Sequence, residues 1–104
     1  MGQALDLASP KAQAFDAAAR KEYGAEYRWP VVAALGFDAG QIAFAAVDKA
    51  GSDRDAIRDA LEKVDGIQAV TNTPAAPFSA TRHECLAPDD VFLGVWKDGH
   101  VVKM

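Results

Sequence analysis

From Trp29 to Val64 the chain reads WPVVAALGFDAGQIAFAAVDKAGSDRDAIRDALEKV. Between Pro30 and Ala50 apolar residues fall on almost every side of a helix, and Gly51 stops the run. A helix that is apolar around most of its circumference is buried on most sides. The pattern therefore predicts a central helix over 30–50, with the rest of the chain as its cover. Ala33, Gly36, Gly40 and Ala43 share one face and are all small, so a neighbouring element is expected to approach closely there. Each interior glycine costs about 1 kcal/mol relative to alanine, which close packing would offset. Leu35, Ile42 and Phe44 supply bulk.

The flanking patterns predict two more helices. Ser9-Pro10 starts one, with serine placed to cap and proline preset for the first turn. Ala12, Phe15, Ala19 and Tyr23 then recur at three- and four-residue steps until Gly24 ends the helix. The third helix is expected over Asp53–Val64, capped by Ser52 with Asp55 three residues on. Its apolar stripe is Ala56, Ile57, Ala60, Leu61 and Val64, with Asp59 and Lys63 placed to pair. After Gly66 the period changes, giving a β-rich segment over about 67–103. Ile67–Val70 suits a short strand, and 72–77 (NTPAAP) is a breaker-rich loop. Val91–Trp96 and Val101–Lys103 read as a hairpin turned at Asp98-Gly99. The fold class is α/β, as a single domain of three helices and a hairpin segment.

Composition narrows the partners. The 104 residues are half apolar and a quarter charged, with a formal net charge of −4. Eleven basic residues are scattered without a patch, which argues against nucleic acid and anionic membrane surfaces. The one cysteine, Cys85, excludes an intrachain disulfide. Met1 to Asp6 carries no basic region followed by an apolar run, so no secretory signal is read there. The stretch 30–50 is long enough for a bilayer, but Asp38, Gln41 and Asp48 interrupt it, and a buried helix is the expected form.

Candidate chemistry is sparse. His83, Glu84 and Cys85 are adjacent, and neighbours in sequence do not all face one ion; His100 falls in the hairpin. Asp89 and Asp90 follow Pro88 in a turn. Tyr27 and Trp29 flank Arg28 beside a helix start, where packing explains them. Asp38 is the one acid inside the apolar helix, and an unpaired buried acid is rare, so a structural pairing is expected of it. No nucleophile–histidine–acid set, metal-ligand spacing, glycine-rich phosphate loop or cofactor motif is present, and no enzymatic activity is expected.

Taken in order, the motifs carry a family likeness. AFDAAARKEYG, then AALGFDAGQIAFAAVDKAG, then SDRDAIRDALEKV resembles the C-terminal portion of periplasmic solute-binding proteins of the branched-chain amino-acid (Leu/Ile/Val) ABC transporter type. Phe37-Asp38-Ala39 stands for that family's Tyr-Asp-Ala, Lys49-Ala50-Gly51 for its helix stop, and Asp55–Leu61 for its next helix. Phe78–His83 and Pro88–Gly99 resemble its closing segments. Thr71–Pro74 departs from the usual glycine-rich turn, and Cys85 stands where glycine is common. The resemblance spans about Ser9 to Val102.

It implies part of one lobe of a type I periplasmic binding protein, without the parallel strands that its helices would cover. It also implies a receptor delivering amino acids or related small carboxylates to an ABC permease, with solute bound only when the missing lobe segments are present. A periplasmic location follows from the likeness, and a cytoplasmic one if these residues are the full native chain. The start of the second helix faces the cleft in that family, so Trp29, Val32 and Phe37 are the expected ligand contacts. The alternative is a stand-alone module that self-associates and binds no solute. Because helices one and three cover only part of helix two, a symmetric homodimer is expected. It would bury the Ala33–Gly36–Gly40–Ala43 face or exchange the C-terminal hairpin.

Overall fold

The computed structural model describes residues 5–104, with His100 by its backbone alone. The reading of the N-terminus for an export signal rests largely on residues 1–4, and that of the His100 side chain on His100 itself; both lie outside the described residues. Three helices come first: α1 (Pro10–Tyr23), α2 (Pro30–Ala50) and α3 (Arg54–Leu61). One antiparallel hairpin, β1 (Gly94–Lys97) and β2 (His100–Lys103), closes a small mixed α/β chain.

Prolines at the first turn start α1 and α2, and glycines in the left-handed region end both, Gly24 at φ 52° and Gly51 at φ 72°. Ser9 occupies the cap position of α1, but its side chain makes no capping bond. Its carbonyl accepts Gln13 N–H at 3.0 Å instead.

Helix α3 differs from expectation at both ends. Asp53, not Ser52, is its cap: the carboxylate accepts Ala56 N–H at 2.8 Å. A carboxylate is a stronger acceptor than a hydroxyl and also favours the positive helix end. The helix stops at Leu61, after which Lys63 and Val64 N–H bond to the carbonyls of Ala60 and Leu61 three residues back. That tightened turn brings Val64 into the core, where it is fully buried. Asp59 pairs with Arg58 at 2.8 Å rather than with Lys63.

The core is two small clusters. Leu5, Ala12 and Ala34 form one with Phe15, Val31 and Val70; Ala46, Ala60 and Val64 form the other with Ile57, Leu61 and Ile67. Both touch the same stripe of α2: Ala34, Asp38, Ile42 and Ala46, at four-residue steps. The helix is therefore not enclosed as its composition predicts. Only 22% of its most apolar 18-residue window is buried. The face of Ala33, Gly36 and Ala43 is open, with Gly40 half-buried and Phe44 exposed. Tyr23, expected on the packed stripe of α1, is exposed as well. Length and composition alone would allow α2 to cross a membrane.

Residues 67–70 form no strand. They run as a loop fastened to the middle of α2 by Asp38, whose side chain is 1% exposed. Its carboxylate accepts Val70 N–H at 2.8 Å, Thr71 N–H at 3.0 Å and the Thr71 hydroxyl at 2.6 Å. Gln41 Nε2 approaches at 3.5 Å. A buried carboxylate is tolerable when its lone pairs are filled in this way. The backbone donors that a ladder would have used are spent on the acid, which is why the apolar run stays a loop.

In the hairpin, Gly94 pairs with Lys103 and Lys97 with His100. Asp98 and Gly99 both take positive φ, 51° and 81°, as a tight primed turn requires. The first strand begins at Gly94 rather than Val91, and the pairing extends one bond past it, with Met104 N–H reaching Leu93 O at 2.9 Å. A side chain at Gly94 would meet Val101 Cγ1 at 2.6 Å.

Replacing Asp38 with alanine strands two partly buried N–H groups and a hydroxyl. Urea unfolding followed by circular dichroism should show a loss of about 2–4 kcal/mol. Thr71→Val, which removes one of the three short bonds, should cost about 1–2 kcal/mol.

Candidate functional site

Two clefts flank α2. The first, about 560 Å³, lies between the N-terminal half of α2 (Val31, Leu35), the Thr71–Thr73 loop and the segment 86–94. Its floor is the loop that Asp38 fastens. Within it Thr71 Oγ1 and Thr73 Oγ1 lie 2.9 Å apart, and Asn72 Nδ2 donates to Asp90 O at 2.9 Å. The Asp90 carboxylate accepts Ala87 N–H at 2.7 Å, closing the short Pro88–Asp90 turn that forms one wall. Leu86, Phe92 and Leu93 supply apolar surface, and Asp6 and Asp90 are the only charged residues in the lining. Among the described residues no basic side chain lines it.

The second cleft, about 650 Å³, is a shallow groove between α1 and α2. The rings of Phe15 and Phe37 meet at its floor, 5.2 Å between centroids. Tyr27 stands at its edge with the Arg20 guanidinium 5.3 Å from its ring centre, and Arg20 pairs with Asp16 at 2.8 Å. The Tyr27 hydroxyl and Asp16 Oδ1 are both buried without a well-directed partner among the described residues. Burial first, then the Asp16 carboxylate, pushes the Tyr27 phenol up to about 12; Arg20 acts weakly in the opposite direction.

The three expected ligand contacts are not gathered into one cleft. Phe37 lines the α1–α2 groove, while Trp29 and Val32 stand in solvent at 73% and 58% exposure. Val32 and Phe37 are five positions apart, about 140° around the helix. The other candidates are structural or isolated. Asp38 is consumed by the loop it holds. His83 Nε2 lies 3.0 Å from Glu62 Oε1 on the surface, and Cys85 is half-buried with a free thiol. Among the described residues no three His, Cys, Asp or Glu side chains are grouped to hold a metal. The lining from Leu86 to Gly94 escaped the sequence reading because loop residues carry no periodic signal. Its turn at Pro88–Asp90 and the apolar run from Val91 were the visible cues, read as a turn and a strand.

Compared with known family models, curated proteins and solved structures, the chain matches none of them.

Tyr27 generates a pH prediction. A phenol whose folded value is raised from 10 to about 12 supports the fold below pH 10, and that support is lost as the pH rises through 12. Phenolate absorbance should show one tyrosine titrating near 12, absent in Tyr27→Phe. Stability should decline across pH 10–12 in the parent and less steeply in that variant.

Proposed function

We propose that this chain is the C-terminal segment of a solute-binding protein of the branched-chain amino-acid ABC transporter type. Such a receptor presents amino acids or related small carboxylates to a membrane permease on the periplasmic side. The motif order from Ser9 to Val102 suggests the reading, and the exposure of Trp29 and Val32 at the start of α2, with Phe37 48% exposed, supports it. Large apolar side chains left in water at a helix start suit contact with the aliphatic or aromatic part of a solute. The groups that would hold its charged ends must then come from other segments, since among the described residues neither cleft is lined by a basic one. An incomplete site of this kind binds solute weakly or not at all by itself. The alternative reading, a self-associating module without solute binding, draws on the same open face of α2.

Calorimetry distinguishes the two. The chain alone should show no dissociation constant at or below micromolar, about −8 kcal/mol, for leucine, isoleucine, valine or an aromatic carboxylate. A receptor encoded in frame with this segment should bind one of them, and Trp29→Ala or Phe37→Ala should weaken that binding about tenfold, about 1.4 kcal/mol. Micromolar binding by the chain alone, or indifference of such a receptor to both substitutions, would overturn the proposal.

A further inference from the structure

We propose that the open face of α2 pairs with α2 of a second copy of this chain, antiparallel, about a two-fold axis passing beside Gly40. This goes beyond the receptor reading and does not rest on it.

Surface area supplies the first argument. The chain exposes 7610 Å², whereas a compact 11.0 kDa chain exposes about 5,600 Å². Its radius of gyration, 15.3 Å, likewise exceeds the ~13 Å of a compact chain this size. The excess of about 2,000 Å² exceeds the roughly 800 Å² that each partner of a stable dimer covers. The open face of α2 contributes prominently to it: Trp29 and Phe44 are 73% and 72% exposed, and no charged residue interrupts the face between them.

The order of large and small residues supplies the second argument. In an antiparallel pair centred on Gly40, positions equally distant before and after 40 come level with each other. Phe44 then lies level with Gly36 of the second copy, Phe37 with Ala43, Val47 with Ala33, and Trp29 with Gly51. Each of these large side chains meets a small one, Gly40 meets Gly40 where the backbones cross, and Val32 at the margin of the face comes level with Asp48. That is the condition for ridges to enter grooves at short interaxial distance. The antiparallel arrangement also opposes the two helix dipoles.

The glycines supply the third. A Cβ at Gly36 would touch nothing within 4 Å, and one at Gly40 only the edge of Phe44 at 3.9 Å. The chain's own packing has no use for either glycine, although each weakens the helix. A second copy fits this face better than a bilayer does. One side of α2 is already packed against α1 and α3, its centre holds the ionisable Asp38 and its loop, and the free face is built of glycine and alanine rather than leucine.

Sedimentation equilibrium should give twice the chain mass of 11.0 kDa at high micromolar concentration. Gly36→Leu and Phe44→Glu should each raise the dimer dissociation constant at least tenfold, with helical circular dichroism unchanged because neither site packs within the chain. In a Cys85→Ser background, Gly40→Cys should give a disulfide-linked dimer under air oxidation, and Ala39→Cys should not. A folded monomer at all concentrations would overturn the proposal, as would a dimer indifferent to Gly36→Leu, absent linkage at position 40, or a monomer that instead partitions onto neutral phosphatidylcholine vesicles. Solute affinity is not read in any arm, so failure here leaves the receptor reading to its own test.

Discussion

Asp38 decides how this chain is arranged. A carboxylate placed mid-way along an apolar helix has to be hydrated or satisfied. Here it draws Val70 and Thr71 out of a potential strand and against α2. Those bonds fix the loop after α3, which floors the cleft beside Val31 and Leu35 and meets residues 86–94 through Asn72 and Asp90. They also join the two core clusters, since Ala34 and Ala46 belong to different clusters on either side of the same stripe. They add polar anchoring to a segment that Val64, Ile67 and Val70 also hold by apolar contact.

The arrangement has a cost in uncovered surface. The stripe that carries Asp38 packs in two small clusters built largely of alanine, and the rest of α2 is little covered. The hairpin pairs only with itself, and two-stranded sheets gain little stability alone. Apolar residues that should enclose a core are left on the open side of α2 and on both faces of the hairpin. Exposed apolar surface on this scale marks a place where something binds, and its order about Gly40 is the ground for the pairing proposed above.

The same geometry bears on the solute. Both clefts are apolar and acidic at the edge, with no basic side chain in either lining among the described residues. A zwitterionic or carboxylate ligand needs a positive or N–H-rich partner, so the solute site proposed above would draw its charged half from other segments. The exposed aromatics at the start of α2 are suited to the apolar half of the recognition.

Local chemistry was readable in the residues. The proline starts and glycine stops of α1 and α2 depend on neighbours in sequence, and so does the Asp98-Gly99 turn; each was expected where it stands. Ser52 against Asp53 was a choice between adjacent acceptors that pattern could not rank, and the stronger acceptor took the cap. The short α3 and the missing strand at 67–70 came from long-range demands, the burial of Val64 and the donors claimed by Asp38 across more than thirty residues. Which side of α2 is covered was likewise invisible, because a helix apolar all round offers no stripe to choose. The acid on one side of it made that choice, leaving Trp29, Val32 and the glycine face in water.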